Sequence, residues 1–452
     1  MRIVFIGAGP GGYVGAARAA KLGAEVVLVE KQFLGGTCLN WGCIPTKALL
    51  HGAKGVLDLS KIAEYGVAVS SFDVDTAKMV ARKNEVVEKL RSGVAQLMKM
   101  NKVKVVEGFG SIEGPGRVEV DGPEAQTIEA DAIVVATGSE VLELPGLEFS
   151  KAGVISSDDA VDLPSIPKTQ IVIGAGAVGV EFATIFSALG TKVTVVEMLP
   201  SVLPVLDPRL GRTLQRYMGA RGIEFKLGTK IETVNPVEGG VEVTFEGGEL
   251  LSAEQVLVGV GRKPALEGLG LDEAGVEYGR RGIAVNEYFE TNVKGIYAIG
   301  DAIGGVMLAH VASAEAIAAV ENAMGARRTV DYETVPSCIY TVPEVAAVGV
   351  TAAKAEEMGI SAEVGRYSFL AVGKALAEGE ADGYVEVLAE AGGGKVLGAN
   401  IIGPHATEII HEIALAIRVG AKVDDVAWLA HAHPSVSEAV MEAAQSLVGG
   451  GH

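Results

Sequence analysis

The chain has 452 residues, 49% of them apolar and 21% charged, with 60 glycines. That excludes a disordered chain and exceeds what one core supports, leaving a turn-rich α/β protein of about two to four domains. A net charge of −19 argues against nucleic acid and anionic membrane as partners, and three cysteines are too few for a disulfide scaffold.

The N-terminus, Met1 to Ile6, reads as a short buried strand with no cleavable leader pattern. No apolar run reaches the ~18 residues that a membrane span needs. A cytoplasmic protein is expected. The strand enters Gly7-Ala8-Gly9-Pro10-Gly11-Gly12, which opens an alanine-rich helix closed by Gly23. Glu25-Val26-Val27-Leu28-Val29-Glu30 is the next strand, ending in an acid. Strand, glycine loop, helix, strand and terminal acid in register are the parts of a dinucleotide site. The glycines let a pyrophosphate approach the helix N-terminus, and the acid accepts ribose hydroxyls.

Just downstream come Cys38 and Cys43, in Gly35-Gly36-Thr37-Cys38-Leu39-Asn40-Trp41-Gly42-Cys43-Ile44-Pro45-Thr46-Lys47. A disulfide closing so small a ring adds little stability through chain entropy, so its use would lie in opening and shutting. Pro45 suits a first helical turn, which puts Cys43 near a helix N-terminus and favours its thiolate. Two other readings stand beside this one: inert buried thiols, or part of a metal site, for which soft ligands are scarce. Residues 75–100 carry a helical apolar period through Met79, Val80, Val87, Leu90, Val94, Leu97 and Met98, read as a packing helix without chemistry. Ile133 to Ser139 is a buried strand turning at Thr137-Gly138.

The first pattern then recurs. Ile171-Val172-Ile173 leads into Gly174-Ala175-Gly176-Ala177-Val178-Gly179, the helix ends at Gly190, and Lys192 to Glu197 follows. In each copy the acid stands 23 positions after the first glycine. Glu197 would repel a ribose 2′-phosphate, and no arginine follows it, so NAD is favoured over NADP. Leu257 to Arg262, with Gly261, and Gly295 to Asp301 are further strand-and-glycine segments. Asp301 falls at a strand's carboxyl end, where sheet ligands bind.

After about residue 335 the glycine loops stop. The strand at 384–388 and helices near 407–418 and 436–448 point to a separate α+β domain. His433 with Glu438 is a candidate carboxylate-held general base. Ser435-x-x-Glu438 is also capping-box spacing, so the acid could merely cap the last helix. His411, with Glu408 and Glu412, reads as a solvated helix face. His405 and His431 suit turn or surface roles, or a substrate entrance. Cys338 reads as a buried small hydrophobe.

The cysteine segment, both glycine boxes, Thr291-x-Val293-x-Gly295 to Asp301, Ile339-Tyr340-Thr341-x-Pro343-Glu344, and His431-Ala432-His433-Pro434 with Glu438 together resemble the pyridine nucleotide-disulfide oxidoreductases, and most of all those members that oxidise dihydrolipoamide. The resemblance covers essentially the whole chain. It implies two Rossmann-like, doubly wound domains and a C-terminal α+β dimerisation domain. The expected limits are 1–145 for FAD, 146–268 for NAD, 269–335 for a central domain completing the FAD site, and 336–452 for dimerisation.

The same resemblance implies that Cys38 exchanges with substrate sulfur, that Cys43 faces the flavin, and that His433, oriented by Glu438, deprotonates dihydrolipoamide. Gly7, Gly9, Gly12, Glu30, Lys47, Gly110, Thr137, Gly138, Asp301, Met307 and His310 would hold FAD. Gly174, Gly176, Gly179, Glu181, Glu197 and Gly261 would hold NAD, with Lys47 and Glu181 paired. A homodimer and a lipoyl-bearing acyltransferase of 2-oxo acid dehydrogenase complexes are the implied partners. The alternatives are a reductase of another small disulfide, such as that of coenzyme A, on the same fold, and an inactive structural subunit.

Overall fold

The computed structural model describes residues 1–162 and 165–449. Its first sheet is wholly parallel, in the order Ile296–Ala298, Ala132–Val135, Arg2–Ile6, Glu25–Glu30, Lys104–Glu107. These strands are near-continuous Val/Ile/Leu runs because helices cover both faces of a parallel sheet. The edge strand Ile296–Ala298 comes from far along the chain. The helix Ala309–Ala323 that follows packs on the glycine-loop helix Pro10–Lys21 in one core with Ile3, Phe5 and Leu28.

The second sheet repeats the plan contiguously: Glu224–Leu227, Lys192–Glu197, Thr169–Ile173, Gln255–Val258, Val154–Ser156, again all parallel. A three-stranded antiparallel sheet accompanies each, at Phe109–Asp121 with Gln126–Glu129, and at Ile231–Phe245 with Leu250–Ala253.

The third large sheet is antiparallel: Ser337–Ile339, Glu344–Gly349, Val396–Gly403, Tyr384–Glu390, Ala362–Ser368. Helix Ala406–Val419 lays Ile410, Ile413 and Ala416 on it at helical spacing and turns Leu415 and Val419 outward. The last helix is shorter than its apolar pattern predicts, running Glu438–Gln445.

The two glycine loops are near replicas. Gly7 and Gly174 both have φ of +100°, and each donates its N–H to the strand before the acid, at Val29 O and Val196 O, 2.8 Å in both. A Cβ on Gly12 would stand 1.9 Å from Gly7 O, and one on Gly179 1.9 Å from Gly174 O. Glycine is required there so that helix and loop can touch. Gly12→Ala and Gly179→Ala are therefore expected to cost about 1–3 kcal/mol each, read as a fall in Tm. Gly9→Ala meets open space and should leave Tm unchanged.

Candidate active site

Each loop acid holds its own turn. Glu30 accepts from Ala8 N and Gln32 N, and Glu197 from Ala175 N and Leu199 N, all at 2.8 Å. A carboxylate has about four lone-pair sites, so two remain on each for ribose hydroxyls. The first-turn amides of Pro10–Lys21 and Ala177–Ala188 carry no side-chain cap, since Gly9 and Gly176 occupy the cap positions. Uncapped N–H groups at a helix N-terminus suit phosphate.

A cavity of about 280 Å³ runs past Gly7, Glu30, Gly110 and Thr137, and Thr137 Oγ1 is shut from solvent without a hydrogen-bond partner. These residues fit a bound dinucleotide. Gly138 (φ +71°) turns the chain at this mouth. Met307 and His310 are not in the cavity lining. They lie at the start of helix Ala309–Ala323, with His310 Nε2 3.1 Å from Pro336 O and the imidazole's affinity for a proton lowered by burial. A larger open groove of about 830 Å³, between Ser111–Glu113 and residues 266–273, contains none of the predicted residues.

Asp301 accepts from Ser139 Oγ at 2.5 Å. Arg262 Nε donates to that hydroxyl at 2.9 Å, while its other nitrogens reach Ser139 O (3.0 Å), Asp158 (3.3 Å) and Thr37 Oγ1 (3.5 Å). One guanidinium thus joins both nucleotide units to the residue before Cys38. The sequence names Gly261 (φ +118°) only as an NAD contact implied by the resemblance, and gives Arg262, the last residue of that segment, no role of its own.

The cysteine segment lies directly against the first glycine loop. Gly35 N donates to Ala8 O at 2.8 Å, and a Cβ on Gly36 (φ +57°) would stand 2.6 Å from Gly9 Cα. Cys38 sits in the short helix Gly36–Asn40, and Cys43 is the first residue of helix Cys43–Lys61. Asn40 donates to Leu34 O and Gly36 O, and its Oδ1 accepts two bonds from Arg91, at 2.8 and 3.1 Å. Arg91 belongs to helix Thr76–Met100. That helix buries Val87, Val94 and Met98 as its period requires, leaves Leu90 exposed, and also braces the cysteine turn, so it does more than pack.

Both cysteines are thiols here, and they are unequal. Cys43 is exposed and Cys38 half-buried. The hydrogen bond between them and burial push the Cys38 thiol far up. The same bond, aided by the Lys47 ammonium, draws Cys43 down to about 7. Lys47 pairs with both oxygens of buried Glu181, at 2.8 and 2.9 Å, as the family resemblance implied.

His433 Nδ1 lies 2.8 Å from Glu438 Oε1, and Glu438 Oε2 accepts Ser435 N at 2.9 Å. The carboxylate thus meets both groups: one oxygen holds the turn at Ser435 and the other the imidazole, and helix Glu438–Gln445 begins at Glu438 itself. The Ser435 amide, then His433, hold the Glu438 carboxyl below the usual carboxylate range. Four other expectations need correction or completion. His431 is no surface residue: its side chain is 6% exposed, with Nε2 3.1 Å from Glu412 Oε2 and Nδ1 2.9 Å from Leu429 O. Glu412 therefore leaves the solvated face on which His411 and Glu408 remain. His405 takes the turn role, at φ +55° ahead of helix Ala406–Val419. Cys338 is only half-buried, with its thiol pushed up to about 11 by burial and nearby acids.

A parallel two-sheet frame with paired thiols beside one glycine loop defines a disulfide oxidoreductase. Residues 1–316 match the sequence profile of the pyridine nucleotide-disulphide oxidoreductases, and residues 335–444 that of their dimerisation domain. The chain belongs to this family.

Among named relatives it is 43% identical to the mitochondrial dihydrolipoyl dehydrogenase of Pisum sativum, covering 98% of this chain and 91% of that protein. It is 40% identical to the dihydrolipoyl dehydrogenase of Halobacterium salinarum, covering 99% and 96%. The leghemoglobin reductase of Vigna unguiculata is 43% identical, covering 98% and 87%. The crystal structure of LpdA from Mycobacterium tuberculosis superposes with a TM-score of 0.93 at 27% identity, covering 99% of each chain.

Because the Glu438 carboxyl is depressed in the folded state, its contribution to stability is complete above the ordinary carboxylate range and fades as pH falls through the depressed value. The stability difference between the wild type and Glu438→Gln, from denaturant melts, should be constant above about pH 5 and shrink below it.

Proposed function

We propose that this chain is a dihydrolipoyl dehydrogenase, an FAD- and NAD-dependent homodimeric enzyme that oxidises dihydrolipoamide through a Cys38–Cys43 disulfide. The observation that carries the reading is the pair of thiols seated on a dinucleotide loop, Cys38 half-buried and Cys43 at a helix N-terminus one turn from Lys47. The named relatives, aligned over nearly the whole chain, support the substrate. The dimerisation-domain match, with Leu415, Val419, Trp428 and Leu429 exposed on the C-terminal elements, supports the homodimer.

His433 is suited to be the base. Glu438 fixes Nδ1, which leaves Nε2 to take a proton from one thiol of dihydrolipoamide. The resulting substrate thiolate attacks Cys38 Sγ, a substrate–Cys38 bond forms, and the Cys38–Cys43 bond breaks with its electron pair on Cys43. The second substrate sulfur then closes lipoamide and expels Cys38, which keeps that sulfur's proton. Lys47 and the helix N-terminus stabilise the Cys43 thiolate. Bound FAD would supply the two-electron chemistry that passes a hydride equivalent to NAD⁺. Cys38 gives up its proton as the Cys38–Cys43 bond re-forms, so that dihydrolipoamide and NAD⁺ end as lipoamide, NADH and a proton. The first glycine loop, Glu30 and the cavity by Thr137 would hold FAD. The second loop and Glu197 would hold NAD, with the carboxylate disfavouring a 2′-phosphate.

In the proposed dimer, His433 serves the disulfide of the other subunit, consistent with its 79% exposed side chain. A lipoyl-bearing acyltransferase is the proposed source of substrate. Among the described residues no helix is long and apolar enough to cross a membrane, and a reducible thiol pair fits a cytoplasmic setting.

The purified protein should reduce NAD⁺ with dihydrolipoamide and show no comparable turnover of coenzyme A disulfide or glutathione disulfide with NADH. Cys38→Ser should abolish NAD⁺ reduction by dihydrolipoamide. His433→Gln should lower it by about 10²- to 10⁴-fold while leaving NADH oxidation by artificial acceptors near wild type. Turnover of coenzyme A disulfide without dihydrolipoamide activity would overturn the assignment.

A further inference from the structure

The segment Ile339-Tyr340-Thr341-x-Pro343-Glu344 is accounted for residue by residue, except at Tyr340. Ile339 is core. Thr341 Oγ1 donates to Pro343 O at 2.7 Å. Glu344 Oε2 receives both the amide and the hydroxyl of Thr407, at 3.0 and 2.7 Å, and so anchors helix Ala406–Val419. None of this needs an aromatic ring at position 340.

We propose that Tyr340 is a positioning residue: its ring and its backbone N–H together hold the Lys47–Glu181 ion pair in register with Cys43. Three separate segments meet here. Lys47 lies one turn after Cys43 on the same helix face. Glu181 comes from the helix of the second glycine loop. Tyr340 comes from the chain just after the first strand of the antiparallel sheet.

Tyr340 N donates to Glu181 Oε1 at 3.0 Å, the same oxygen that Lys47 Nζ meets at 2.9 Å. The Lys47 ammonium also stands 4.4 Å from the Tyr340 ring centroid. An ammonium has three N–H donors. Two are directed to the Glu181 carboxylate, and the ring face receives the charge on the remaining side. The ring fixes the ammonium and the amide fixes the carboxylate, so neither partner can swing without breaking a contact to residue 340.

The geometry has a chemical consequence at Cys43. The groups that bear on its thiol are Cys38, Lys47 and Glu181, with Tyr13 close by, and those bearing on Lys47 from the other side are Tyr340 and Cys338. Lys47 favours the thiolate and Glu181 opposes it. The balance depends on where the ammonium sits between sulfur and carboxylate. The Lys47 side chain is already 32% exposed, and removing the ring frees the ammonium to turn further toward water, where its charge is screened more strongly. Removing only the hydroxyl changes nothing in this arrangement, because the phenol, pushed up to about 12 by burial, stays neutral.

The inference rests on Cys43 as the reactive thiol beside the cofactor, but its test is read at that sulfur and not through turnover. Failure of the dihydrolipoamide assignment and failure of the Tyr340 role are therefore separable. In FAD-loaded protein carrying Cys38→Ser, the rate of Cys43 alkylation by iodoacetamide is followed against pH, with the modified peptide quantified by mass spectrometry. Adding Tyr340→Phe should leave the midpoint unchanged. Adding Tyr340→Leu should raise it by about half to one pH unit. If Tyr340→Leu does not fold, Tyr340→Met replaces it, filling similar volume without an aromatic face. A folded Leu or Met variant with an unshifted midpoint would overturn the proposal, as would a Phe variant shifted as far as the Leu one.

Discussion

A contact between two glycine backbones sets where the chemistry can happen. Gly36 leaves no room for a Cβ against Gly9, so the cysteine turn is laid on the loop that would cradle a pyrophosphate. From that contact follow the helix start at Cys43, the reach of Lys47 into the second nucleotide unit, and the exposure of one thiol beside a half-buried one. The surrounding polar network preserves this approach. Arg91 holds the turn from one side through Asn40, and Arg262 holds it from the other through Thr37.

The thiols differ because their surroundings differ. Cys38 donates a hydrogen bond, is half-buried and stays protonated. Cys43 receives that bond at a helix N-terminus, near an ammonium. Such asymmetry suits a pair in which one sulfur meets a substrate and the other carries negative charge. Two stable, equivalent thiolates would repel one another, and two equally buried thiols would be inert.

What could be read from the sequence was what is local. The two glycine loops and their acids were legible because every member lies within one βαβ turn, and the copies agree in backbone conformation and hydrogen bonding. His433 and Glu438 were legible because five residues can fold into one turn, although spacing alone could not separate base from cap. In the structure one carboxylate oxygen meets His433 and the other the Ser435 amide. Arg91 with Asn40, Arg262 with Ser139, and Glu412 with His431 were not legible. Each joins distant positions, and an arginine or glutamate on a helix face carries no sign of which way it will reach. The Lys47–Glu181 pair spans even more chain, and it was expected only because a family resemblance supplied it.

The order of strands in the first sheet also bears on how the protein is made. Its edge strand, Ile296–Ala298, follows the whole of the second sheet in the chain. During synthesis the ribosome releases Val154–Val258 first, so the second nucleotide unit can close while the first still lacks an edge. Until that strand docks, Ala132–Val135 presents a bare row of amides and carbonyls. The nascent chain at that stage is the form most exposed to mispairing, and the form a chaperone would have most reason to shelter.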